Sequence, residues 1–171
     1  MKNRFLLGTA LFAMVASVGS GWAAAPTFKN KDLKGTYALK FSGFLGGAAN
    51  PFPTTSSIPQ SGSGIETADG NGNFNSTILF SIGGSTCSGT VSGTYTVNTN
   101  GTGTSTGTFT PSATAPTGVP ATNYSCPSQT TGVQDEAFTL VSPGKVEFIS
   151  TDADSIVSGT AERQSLNGVH H

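Results

Sequence analysis

Side chains that could carry chemistry are few in this chain, and most of them are carboxylates. Glu66, Glu136, Glu147 and Glu162 fall in segments that read as strands, with Asp135 beside Glu136 at the start of one. Two such groups sharing one interior would permit proton transfer or glycosidic hydrolysis without a metal. Alternation decides which of them turn inward. In Lys145-Val146-Glu147-Phe148-Ile149, either Val146 and Phe148 or Glu147 faces the core, and burial of the apolar pair would leave Glu147 a solvated exterior charge.

Other catalytic ingredients are missing from the body of the sequence. Both histidines, His170 and His171, close the chain. A Ser-His-Asp or Cys-His arrangement would therefore need the tail to fold back, and the commonest zinc ligand is absent elsewhere. Cys87 and Cys126 read as a disulfide, since no neighbouring His or Lys would activate a free thiol. The segment Asp69-Gly70-Asn71-Gly72-Asn73 resembles the opening of a calcium loop, but Phe74 stands where such a loop needs Gly and Phe80 where it needs a bidentate Glu. A solvated hairpin turn is the expectation there. No catalytic residue, metal ligand or cofactor is assigned on these grounds.

The N-terminus points to export. Lys2 and Arg4 precede an apolar run from Phe5 to Val18, broken only by Gly8, Thr9 and Ser17, and small residues follow up to Ala25. This is the layout of a secretory signal peptide, and the run is shorter than the roughly 20 residues of a spanning helix. Cleavage after Ala23 gives a leader of residues 1–23 and one domain of residues 24–171, destined for the periplasm or the medium. Without Lys2 and Arg4, six basic side chains face nine acidic ones. Such a balance lacks the basic face that nucleic acid or an anionic membrane would need.

Elements able to position these groups follow from composition and period. The chain has 23 Gly and only 10% charged residues, which is poor for helices and good for strands joined by tight turns. From Leu33 onward apolar residues recur at every second position, as in Tyr37, Leu39 and Phe41. Eight strands are predicted, at residues 35–41, 64–68, 74–82, 90–97, 102–110, 136–141, 145–150 and 155–163. Turn chemistry at Asp69–Asn73, Asn98–Gly101, Ser142–Gly144 and Asp152–Asp154 joins most of them as hairpins.

A meander of eight strands avoids open edges most simply by closing strand one on strand eight. The predicted fold is an all-β, eight-stranded antiparallel up-and-down barrel, with a two-sheet sandwich as the alternative. An outer-membrane barrel is disfavoured by outward faces of Thr, Ser and Gly and by the non-aromatic ending Asn167–His171. Two long connections, Gly43 to Gly62 and Pro111 to Gly132, read either as binding loops or as packed surface loops.

Leu33-Lys34-Gly35-Thr36-Tyr37 near the start and Arg163 near the end resemble the calycin and lipocalin arrangement, in which a basic residue of the last strand meets a ring on the first. Tyr37 stands in place of the customary Trp. A series that includes Gly93-Thr94-Tyr95-Thr96-Val97 and Phe148-Ile149-Ser150-Thr151-Asp152 is similar to a group of mostly uncharacterised secreted bacterial β-rich proteins. That resemblance implies export and a lipocalin-like or allene-oxide-cyclase-like barrel, without an activity. The functional expectation is a small apolar ligand held among Tyr37, Phe41, Phe80, Tyr95, Phe138 and Phe148, or a structural surface module. The alternative is a metal-independent isomerase, cyclase or glycan hydrolase using barrel carboxylates.

Overall fold

A computed structural model describes residues 27–45, 58–126, 132–142, 144–153 and 155–165. The leader expected at residues 1–23, its expected cleavage point and both histidines lie outside the described residues. The strands are β1 (Gly35–Leu45), β2 (Ile58–Ala68), β3 (Asn73–Ile82), β4 (Ser85–Val97), β5 (Thr102–Pro111), β6 (Gly132–Ser142), β7 (Lys145–Ser150) and β8 (Ser155–Arg163). Each pairs antiparallel with the next, and β8 returns to β1 through a register running from Tyr37↔Arg163 to Leu45↔Ser155. The barrel is closed, so the eight-stranded up-and-down expectation holds and the sandwich does not form.

Several strands are longer than alternation alone suggests. β1 and β2 extend into both ends of the segment that reads as a loop from Gly43 to Gly62, and β4 begins at Ser85, directly after the Gly83–Gly84 turn. Glycines hide these extensions, because they contribute no apolar alternation while leaving the backbone ladder intact. Gly62 lies in register between Phe41 and Phe80, and a Cβ there would collide with both. Gly103 faces Phe138 and Gly159 faces Phe148 in the same way. Inward glycines let the wall bend sharply while neighbouring rings cover the bare backbone.

The two ends of the barrel are built differently. At one, a 3-10 turn (Asn30–Leu33) inserts Leu33 into the core. Asn30 fixes the turn by accepting the Val97 amide on Oδ1 (2.8 Å) and the Tyr95 hydroxyl on its carbonyl (3.1 Å). The adjacent β2–β3 turn is held by Asp69, whose Oδ1 accepts the amides of Asn71 (2.6 Å) and Asn73 (3.0 Å) while Oδ2 accepts Asn73 Nδ2 (2.7 Å). Those bonds, led by the one from the Asn73 side chain, hold its carboxyl down to about 2. The segment is the hairpin turn expected of it. Arg163 sits in register with Tyr37, but its guanidinium donates to the Lys34 carbonyl and covers Gly35, whose φ of 145° suits glycine. No cation-π pair forms among the described residues, unlike the arrangement the calycin resemblance implies.

At the opposite end β4 runs past its neighbour. Its pairing with β5 stops at Gly89↔Pro111 and a last bond from the Ser112 amide to the Ser88 carbonyl (2.8 Å), leaving Ser85–Cys87 without a β5 partner. The β5–β6 connection fills the gap: Tyr124 bridges Thr86 in parallel, and Ser125 donates its amide to the Thr86 carbonyl (3.0 Å). A Cys87–Cys126 disulfide, as the sequence led us to expect, secures the contact. The described part of this connection is barrel wall and not a swinging lid.

The bridge spans 39 positions, for which loop-closure entropy gives a stabilisation of about 4 kcal/mol. Changing both cysteines to Ala should lower the unfolding free energy by about that amount in urea titration. A double variant as stable as the parent would contradict this packing of the connection.

Candidate functional site

Eight strands enclose a space that side chains can only just fill, and here they do not fill it. A cavity of about 660 Å³ runs from Leu33 and Ala68 at the plugged end to Leu45, Gln60, Val133 and Ser155 at the other. Its size lies within the usual range for a small-molecule pocket, roughly 300–1,000 Å³.

The six residues expected inside, Tyr37, Phe41, Phe80, Tyr95, Phe138 and Phe148, all line this cavity. Phe41 and Phe80 have ring centroids 6.4 Å apart, and Phe80 meets Phe109 edge-on at 5.5 Å. Phe109 was not singled out from sequence, although its alternation with Thr108 and Thr110 carries the signal. It is 2% exposed and lines the same wall.

The two inward tyrosines differ in what their hydroxyls do. Tyr95 accepts from the Gly70 amide (3.0 Å) and donates to Asn30, so it ties the plug and the β2–β3 turn to the barrel. Tyr37 is 1% exposed, and its hydroxyl has no hydrogen-bond partner among the described residues. Burial raises the Tyr37 pKa, opposed by the positive charge of Arg163 and reinforced by Tyr95 and Glu66.

Register sorts the carboxylates. Glu66 lies between Tyr37 on β1 and Ser76 on β3, and Glu136 lies between Ser105 on β5 and Ser150 on β7. Both line the cavity. By contrast, Glu147 points outward and pairs with Lys145 at 3.5 Å, and Glu162 is exposed. Asp135 has the outward parity of its strand. Two of the five candidate acids named from sequence are therefore interior, and the pairing register separates them from the other three; Asp152, which also lines the cavity, was taken only as a turn residue.

Among the described residues Glu66 and Glu136 each accept from a single serine. Ser76 Oγ donates to Glu66 Oε2 at 2.9 Å, and Ser105 Oγ to Glu136 Oε2 at 3.1 Å. Burial disfavours the charged form of both. It raises the pKa of Glu66 against the pull of the Ser76 bond. Glu136 is pushed up to about 7, chiefly by burial, with the Ser105 bond opposing and the charges of Glu66 and Asp152 adding. Asp152 lines the cavity near its open end, its carboxylate accepting the Asp135 amide (3.1 Å) and Ser150 Oγ (3.2 Å). A carboxyl that titrates near neutrality can both give and take a proton. Among the described residues no group of His, Cys, Asp and Glu is arranged to hold a metal ion.

Fold and cavity together define an up-and-down barrel with a ligand-sized, partly aromatic and acid-bearing interior. No protein-family model matches the chain, and no curated protein matches it. Among solved structures it is similar to a redesigned β-barrel at 18% identity and a TM-score of 0.43, covering 80% of this chain and 95% of that one. A second redesigned barrel, mFAP1 bound to DFHBI, is 16% identical with a TM-score of 0.44, covering 78% and 97%. Among the described residues no helix is long and apolar enough to cross a membrane.

Because the folded pKa of Glu136 lies above its ordinary 4.5, the native state binds that proton more tightly than the unfolded chain. Its contribution is therefore most favourable below about pH 4.5 and declines as pH rises to about 7, by about 3 kcal/mol in all. Glu136→Gln should remove much of that decline, making the protein more stable than the parent near pH 8 and nearly equal to it near pH 4. Denaturant midpoints measured across this span would contradict the placement if the parent curve were flat.

The tyrosines give a second test. Tyr95→Phe deletes two hydrogen bonds and should cost about 1–3 kcal/mol. Tyr37→Phe removes an unpaired buried hydroxyl and should leave the ligand-free protein equally stable or more so. Equal losses in both variants would show that Tyr37 has a partner after all.

Proposed function

We propose that this protein is an exported carrier or receptor that holds one small molecule with an apolar body inside its barrel. The observation that carries the reading is the cavity of about 660 Å³, walled by aromatic rings and by a few convergent polar groups. That combination is how small-molecule sites are usually built. Tyr37, Phe41, Phe80, Tyr95, Phe138 and Phe148 are the residues proposed to touch the ligand. Export is supported by the N-terminal pattern of basic, apolar and small residues and by the Cys87–Cys126 bridge, a bond that persists mainly in oxidising compartments. In this reading the leader is removed and residues 24–171 act as one domain, in the manner of the secreted bacterial barrels the sequence resembles.

A second reading is favoured by the neutral-range Glu136 carboxyl in the same cavity as Glu66. In it the barrel is a metal-independent enzyme that moves a proton on its bound substrate, as an isomerase or cyclase would. Recovery of the bound compound unchanged supports the carrier. Its rearrangement, abolished by Glu136→Gln, supports the enzyme.

Titration with the neutral fluorophore N-phenyl-1-naphthylamine tests the cavity itself. The expected result is a blue-shifted, saturable signal with one site per chain. Ser76→Phe and Val157→Trp, which fill the interior, should each weaken it by about tenfold while the strand signal in circular dichroism persists. A signal that never saturates, or that survives both substitutions, would overturn the reading.

A further inference from the structure

We infer that the ligand is a cation: an organic amine or ammonium compound whose apolar body lies against the phenylalanines and whose charge is met by Glu66 and Glu136. This rests on the ligand-binding reading above and adds to it the chemical class of the occupant.

The imbalance of charge in the cavity carries the argument. Among the described residues three carboxylates, Glu66, Glu136 and Asp152, line it, and no Lys, Arg or His does. The basic side chains nearest in register are spent elsewhere. Lys40 is exposed on the outward face of β1, Lys145 pairs with Glu147, and Arg163 caps the Lys34 carbonyl. Buried acids that serve only the fold normally have a basic partner or several donors. Here Glu66 and Glu136 each accept from one serine hydroxyl, although a carboxylate offers about four acceptor sites.

An unsatisfied hydroxyl lies close by. The Tyr37 ring lines the cavity and neighbours Glu66 in the β1–β2 register, and its sealed hydroxyl has no partner among the described residues. An ammonium group brings N–H donors that suit the open acceptor sites of the two carboxylates. The ring cluster of Phe41, Phe80 and Phe109 supplies the apolar wall, and aromatic faces attract cations as well. A carboxylate ligand would meet repulsion from whichever of the three acids is ionised. A neutral one would leave Glu66 and Glu136 in the protonated form that burial favours and would forgo the ion pair.

Isothermal titration calorimetry with decylamine, decanol and decanoate near neutral pH separates the possibilities, because the three share one apolar chain and differ in charge. Decylamine should bind at one site about tenfold or more tighter than decanol, with decanoate weakest. In the Glu66→Gln, Glu136→Gln double variant the amine-to-alcohol ratio should fall to near one, whereas Glu147→Gln on the exterior should preserve it. Similar affinities for all three ligands, or an amine preference that survives the double substitution, would overturn the inference and leave the cavity reading standing. Absence of binding by any of the three, together with failure of the fluorophore, would sink both.

Discussion

Nine backbone pairings join β1 to β8, and once that ladder closes no strand is free to choose its face. Tyr37 inward on β1 requires Glu66 inward on β2, which requires Ser76 inward on β3. Around the other side, Phe138 on β6 requires Phe148 on β7 and so Gly159 on β8, which returns to Phe41 on β1. A slip of one residue anywhere would turn a whole set of apolar side chains into water. Closure therefore places two acids in a low-dielectric interior whatever their own preference, and the rest of the barrel absorbs that cost.

The interior is hollow because of what stands beside the aromatic residues. Many inward positions are glycine, among them Gly62, Gly103, Gly107 and Gly159, and each is covered by a Phe ring or a neighbouring branched chain. Rings lean across bare backbone toward the wall, which curves the sheet and keeps the axis clear. The plugged end and the stapled connection fix the ends of this shell. Tyr95 spends its hydroxyl on the plug, while Cys87 spends its sulfur on the connection. What is left without a partner among the described residues, most of the acceptor capacity of Glu66 and Glu136, faces the empty space, with the sealed Tyr37 hydroxyl in the wall beside Glu66. That concentration makes the cavity a binding site in our reading and not merely a packing defect.

Much of the architecture was legible in the sequence. Alternation in Tyr37, Leu39 and Phe41, and again from Phe74 to Ile82, has one physical cause, and the hairpin turns carry their own residue signatures. Val146 and Phe148 likewise put Glu147 outside. Alternation is no guide where apolar residues face water: in Gly64-Ile65-Glu66, the isoleucine is 48% exposed and the glutamate turns inward. Only pairing with Tyr37 and Ser76 settles that strand. Glycine-rich strand ends were illegible for a related reason, since a residue without a side chain reports no face. The hollow itself depends on how rings lean across those glycines, which no one-dimensional period encodes.

The account stands or falls on two acids enclosed together in one apolar space. Carbon-detected NMR of the side-chain carboxyls, followed through a pH titration of the ligand-free protein, addresses it most directly. Glu136 should titrate with a midpoint near 7, and Glu66 should also titrate above the ordinary glutamate range. Ordinary midpoints near 4.5 for both would mean that these carboxylates meet bulk water, and the buried, acid-bearing interior described above would be contradicted.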